Sequence, residues 1–214
     1  MPSSRKALVV TGPQGSGNHL FAKIFALHPD VIGWTDLTRK YWIGHDEEPF
    51  AKLWLNPEKI SEIYWPESIN IVTSISCPYI SDGIECLPSY SQFIEALILS
   101  GFDVQVAVIG RDSNILAHQQ KRVRGKVTKQ SFLGLLPDLS KYQPLFISTE
   151  LLYLYRQTYL QSLQQIISIP IACEHELIDE ILINDPNTKY FTEIEPQPLD
   201  KLIHEASKPK HLRT

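Results

Sequence analysis

Cysteine, methionine and positive charge are all scarce in this chain. Three cysteines stand in 214 residues, at Cys77, Cys86 and Cys173, and there is only one methionine. An odd count with no C-x-x-C pair, and no histidine at zinc-ligand spacing, argues against a disulfide framework and against a structural zinc. Free thiols in a reducing cytosol, and hence a cytoplasmic protein, are the expectation. Lys and Arg total 20 against 24 Asp and Glu, a formal net charge of −4. No global field therefore draws the chain to nucleic acid or to an anionic membrane, and any anion site must be built locally. Nucleic-acid fingerprints are absent, and no run approaches the roughly 18 apolar residues of a membrane span. The stretch before Gly12 is too short for the apolar region of a secretory signal.

What is present suits one large domain. A hydrophobic fraction of 43% and a charged fraction of 21% are ordinary for a globular chain that buries its core without staples. The expected organisation is a single domain over 1–204, with 34–65 as an aromatic insertion on the substrate side. Residues 205–214 are expected to be a loose tail, since nothing apolar anchors them.

Short apolar runs alternate with helical periodicity. Runs at 7–11, 69–76 and 104–109 are predicted strands, and 145–148 and 169–173 are two further candidates. Segments 18–27, 90–100 and 149–167 carry apolar residues on one helical face, the second stopped by Gly101. Strands separated by helices imply right-handed crossovers and a mostly parallel sheet flanked by helices, an α/β fold. The nearly unbroken apolar character of 7–11 and 104–109 predicts neighbouring parallel strands in the sheet interior. Trp34, Tyr41, Trp42, Trp54, Tyr64 and Trp65 crowd one irregular stretch, either as a platform for a sugar ring or as a small satellite core.

The run Gly12-Pro13-Gln14-Gly15-Ser16-Gly17-Asn18-His19 follows a strand and opens a helix, the context a phosphate-binding loop requires. Glycines let successive N–H groups turn inward, and the helix start adds unpaired donors and a positive dipole end. Gly12 and Gly17 have the spacing of the ATPase pattern G-x-x-x-x-G-K-[ST], but Asn18 replaces its lysine and His19 its metal-binding hydroxyl. Ordinary ATP or GTP hydrolysis is therefore disfavoured. The expected fold is a three-layer arrangement of the P-loop NTPase kind.

Pro13-Gln14-Gly15-Ser16-Gly17-Asn18 resembles the P-x-x-S-G-T loop of the sulfotransferase superfamily, and Leu27-His28-Pro29-Asp30-Val31 is similar to many of its members after the first helix. The family's second signature, an R-D after a central strand with a serine eight residues beyond the arginine, is matched by Arg111-Asp112, with Gln119 in the serine position. The resemblance covers about residues 5–125. It implies binding of 3′-phosphoadenosine 5′-phosphosulfate, with the loop on the 5′ side and Arg111 on the 3′-phosphate. Gln119, Arg122 and Arg124, near Lys121 and Lys126, would add 3′-phosphate contacts, although a solvated basic turn explains that cluster equally well.

Sulfuryl transfer to a hydroxyl or amine of a small-molecule or glycan acceptor needs a base. The histidine that many members carry after the second strand is absent from Ile75-Ser76-Cys77-Pro78-Tyr79. His45 is preferred in its place, because neighbouring carboxylates in His45-Asp46-Glu47-Glu48 are expected to raise its pKa. His19, beside the loop, and His118 are the other candidates. A nucleotide or metabolite kinase, and a catalytically inactive module of the same fold, remain open alternatives.

Overall fold

The computed structural model describes residues 5–38, 44–81 and 83–183. One compact unit runs to Asn184. The boundary expected at 204, the tail at 205–214, and Tyr41 and Trp42 lie outside the described residues.

In chain order the elements are β1 (Arg5–Pro13), α1 (Asn18–Phe25), β2 (Val31–Ile32), α2 (Ala51–Trp54), β3 (Asn70–Cys77), β4 (Tyr79–Ser81), β5 (Ile84–Cys86), α3 (Tyr90–Leu99) and β6 (Phe102–Gly110). They continue as α4 (Ser113–Arg124), α5 (Lys129–Ser140), β7 (Leu145–Ser148), α6 (Thr149–Gln164) and α7 (Leu177–Ile181). Five strands pair in the order β2-β3-β1-β6-β7, every pairing parallel. Ala7 sits opposite Ile71 on one side and Val104 on the other. The runs at 7–11 and 104–109 are thus adjacent interior strands, as their sequence predicts.

Successive strand residues point to opposite faces of a sheet, and β1 uses both. Leu8 and Val10 join Phe21, Ile24 and Phe25 of α1 with Leu152, Leu160 and Leu163 of α6. Ala7 and Val9 join Phe93, Ile94 and Leu97 of α3 with Phe132 and Leu139 of α5. Helices on both faces make three layers. β1 feeds α1 on one face, while its neighbour β3 leads to α3 on the other. Adjacent strands whose connections part in this way leave a crevice at their carboxyl ends, where α/β sheets bind ligands.

One predicted strand does not form. Residues 169–173 bury Ile169 and Ile171 with strand-like alternation, yet they run as irregular chain. Pro170 has no N–H to give a ladder, and flanking donors are taken by side chains, Ser168 N by Gln105 Oε1 and Ile171 N by Gln164 Oε1. The antiparallel β4–β5 hairpin and α5 were not singled out by the sequence pattern. In the aromatic stretch, Trp34, Trp54 and Trp65 are buried core residues and Tyr64 is exposed, which favours packing over a sugar platform. No helix among the described residues is long and apolar enough to cross a membrane.

Candidate functional site at the carboxyl ends of β1 and β3

The loop after β1 is pinned where the crevice opens. Gln14 N donates to Cys77 O at 3.0 Å, tying the loop to the end of β3, and Ser16 N donates to Pro13 O at 2.9 Å to close the turn. Gly15 and Gly17 have φ of 86° and 105°, in the left-handed region that glycine enters without a side-chain clash. A Cβ on Gly15 would stand 2.7 Å from Gln119 Oε1, and one on Gly17 2.8 Å from Thr149 Oγ1. Gly17 then starts α1, whose first N–H groups have no intrahelical partner and form the positive end of its dipole. Gln14 and Ser16 are buried, and Gln14 Nε2 and Ser16 Oγ make no hydrogen bond. Buried polar atoms are nearly always paired. Two orphans in one loop, beside the helix start, fit a cradle that an oxyanion completes.

Three elements brace this loop from behind. Arg111 Nη1 donates to Gly15 O at 2.5 Å and also to Gln119 Oε1, so the arginine and the residue eight positions beyond it meet on the loop. Gln120 Nε2 donates to Gln14 O at 2.8 Å, while Thr128 Oγ1 donates to Gln14 Oε1 at 3.2 Å. Thr149 Oγ1, at the start of α6, donates to Ser16 O. The R-D pair divides its labour: Arg111 reaches the loop, and Asp112 caps α4 by accepting from Asn114 N and Ile115 N, both at 2.9 Å. Residues Gly12 to His19, Arg111 and Gln119 are therefore brought together. Arg122 is exposed on α4, whereas Arg124 is half-buried.

A polar wall lines the crevice on the β3 side. His19 Nε2 lies 2.8 Å from Glu48 Oε1, and the Glu48 side chain has no exposure. Ser74 Oγ donates to Glu48 Oε2 at 3.0 Å, and Trp34 Nε1 donates to Ser74 Oγ at 3.3 Å. The His19 ring also packs against Trp34. Asn18 does not cap its helix; Nδ2 donates to Ser76 Oγ at 2.9 Å instead. When Nε2–H of His19 donates to the Glu48 carboxylate, Nδ1 holds the lone pair and can accept a proton. Glu48 as the partner of His19 was missed at the sequence level, since nothing local in His45-Asp46-Glu47-Glu48 says which acid turns inward.

His45 behaves differently from expectation. It is buried, and its Nδ1 accepts from Ile80 N at 3.2 Å, holding β4 in place. Burial lowers its pKa below the ordinary 6.5; Glu48 opposes the shift, and His19 and Arg124 reinforce it. The carboxylates beside it in sequence do not raise it, because desolvation of the imidazolium outweighs them and Asp46 is exposed. A histidine whose folded pKa is depressed contributes stability that is fully present above about 6.5 and lost as pH falls towards the folded value. His45→Asn keeps an acceptor for Ile80 N and removes the titration. Its melting temperature should fall less than wild type's between about pH 7.5 and 5, measured by calorimetry. Equal slopes would exclude His45 as the titrating group.

Other candidates separate clearly. His118 is exposed on α4. Burial pushes the Cys77 thiol up to about 12, so it stays protonated and is no nucleophile. The three cysteines are free thiols. Among the described residues no three His, Cys, Asp or Glu side chains cluster as a metal site needs. An open cavity of about 300 Å³ lies beside Arg5, Ile60, Tyr64 and Leu99, at the amino end of the sheet. Arg5 there already donates to the carbonyls of Pro66, Ser100 and Trp65, which makes that cavity a poor anion site. No protein-family model matches the chain, and no curated protein is similar to it.

Proposed function

We propose that this chain is a transferase of the sulfotransferase type, with a P-loop fold, that holds 3′-phosphoadenosine 5′-phosphosulfate at the loop of residues 12–19. Its acceptor is a hydroxyl or amine of a small molecule or glycan. The observation that carries the reading is the loop itself. Gln14 Nε2 and Ser16 Oγ are buried without partners in a turn braced by Arg111 and Gln119, next to the His19–Glu48 pair. The loop donors and the α1 start would hold the 5′-phosphosulfate side. Arg111, whose planar guanidinium carries five N–H donors, would also meet the 3′-phosphate.

When bound, the nucleotide supplies the sulfuryl group and a phosphate leaving group. His19 takes the acceptor's proton on Nδ1 as the new O–S or N–S bond forms and the S–O bond to phosphate breaks. Glu48 fixes the ring's tautomer and stabilises the imidazolium that results. Asn18, tied to Ser76, orients the first turn of α1. The loop has no lysine, and Gln14 stands in its neighbourhood, so neutral amide donors replace a cationic one. That substitution also leaves room for a module that binds nucleotide without turnover.

A kinase reading is weaker on two counts, the first being Asn18 in the place of the loop lysine. His19 occupies the place of the metal-binding hydroxyl and is engaged by Glu48 instead. Adenosine 3′,5′-bisphosphate should therefore add about 2.7 kcal/mol of apparent stability at a hundredfold excess over its Kd, read as a rise in melting temperature. A rise with Mg-ATP and none with millimolar bisphosphate would replace the sulfotransferase reading with the kinase one.

A further inference from the structure

Resting on that reading, we propose that Arg124 is an anion receptor on the acceptor side of the crevice, so that the acceptor carries an oxyanion group near the hydroxyl or amine it offers. The resemblance to sulfotransferases would give Arg124 to the 3′-phosphate together with Arg122. The geometry of α4 divides the two. Leu116, Gln120 and Arg124 are spaced four residues apart and share one helix face. Leu116 and Gln120 on that face are buried, and Gln120 touches the loop at Gln14 O. Arg124 continues the stripe one turn beyond the loop, half-buried, whereas Arg122 is on the exposed side.

Just past the end of α4, an ion pair links the chain to the β4–β5 hairpin. Lys126 Nζ pairs with Glu85 Oε2 of β5 at 2.7 Å, and Ile80 of β4 donates to His45 Nδ1. The end of α4, the hairpin and His45 thus meet, and Arg124 lies close enough to His45 to help hold its pKa down. The Glu85 charge acts on Arg124, but its carboxylate is already engaged by Lys126. Among the described residues no hydrogen bond or ion pair engages the Arg124 guanidinium. A half-buried guanidinium that has given up part of its hydration and holds no carboxylate is an incomplete pair. Its planar fork matches a carboxylate, sulfate or phosphate bidentately. Its charge is felt at His45, as are those of Glu48 and His19, which puts it on the side where an acceptor would offer its proton.

Inorganic sulfate is the probe. Melting temperatures of wild type, Arg124→Gln and Arg122→Gln are measured against sulfate at constant ionic strength, with and without saturating adenosine 3′,5′-bisphosphate. With the loop filled by bisphosphate, wild type and Arg122→Gln should still be stabilised by sulfate. In Arg124→Gln the half-saturating sulfate concentration should rise about tenfold or more, with bisphosphate affinity unchanged. The proposal is overturned if Arg124→Gln binds sulfate like wild type, if sulfate stabilises none of the proteins, or if the variant loses bisphosphate affinity instead. Should bisphosphate itself not bind, the loop reading fails on that arm alone, and the sulfate titration of the free protein still decides Arg124. Carboxylate and sulfate acceptors are then told apart by turnover of matched sugars, a uronic acid against a sulfated sugar.

Discussion

Under the proposed function, His19→Asn should lower the rate of sulfuryl transfer by about 10²- to 10⁴-fold, the range of general-base catalysis, while bisphosphate affinity stays within about threefold of wild type. Asparagine can still reach Glu48 with its amide but offers no lone pair of imidazole basicity. The rate loss should be largest near neutral pH and shrink as pH rises, because external hydroxide then removes the acceptor proton. Glu48→Gln separates orientation from charge. It keeps one oxygen as acceptor for His19 Nε2 and turns the other position into an amide N–H that Ser74 Oγ can accept, while removing the carboxylate that stabilises the imidazolium, so it should retain more activity than His19→Asn. Single-turnover kinetics with saturating nucleotide reads both. Full activity in His19→Asn would remove His19 from the chemistry and leave the His19–Glu48 contact as packing.

Arg111→Ala carries the second large effect. Arg111 braces Gly15 O and Gln119, and in the proposed reading it also pairs with the 3′-phosphate. Loss of a charge-assisted contact should weaken adenosine 3′,5′-bisphosphate by about 1.5–3 kcal/mol, roughly 10- to 150-fold. Adenosine 5′-phosphate, which lacks the 3′ group, should lose only the share that comes from a loosened loop. A calorimetric comparison of the two ligands separates the roles. If both weaken equally, Arg111 is a loop brace and does not read the 3′ position.

Much of the scaffold was legible because its signals are local. The apolar runs at 7–11 and 104–109 carry their burial in their own composition, and the strand-Gly-helix sequence from Ala7 to Leu27 announces its turn. Arg111 with Gln119 was readable as a spaced pair, and their meeting on Gly15 gives that spacing a mechanical meaning. Three things were out of reach. Glu48 meets His19 directly across 29 residues while Ser74 of a third element holds its other oxygen, and no periodicity encodes such a contact. His45 was misread because its flanking acids are visible in sequence and its burial is not. The run 169–173 shows the opposite error: alternation was real, but Pro170 and the side chains of Gln105 and Gln164 left no ladder to join.

Amide hydrogen exchange with and without adenosine 3′,5′-bisphosphate tests the central claim most directly, since it reports where the nucleotide acts. Bound ligand should slow exchange within residues 14–19, above all at Gly15, Gly17, Asn18 and His19, since the N–H groups of Gln14 and Ser16 already donate to Cys77 O and Pro13 O, and at the Arg111–Asp112 junction that braces the loop. Mg-ATP at the same concentration should do less. Protection confined to other segments, with 14–19 unchanged under saturating bisphosphate, would contradict the assignment of this loop as the nucleotide site.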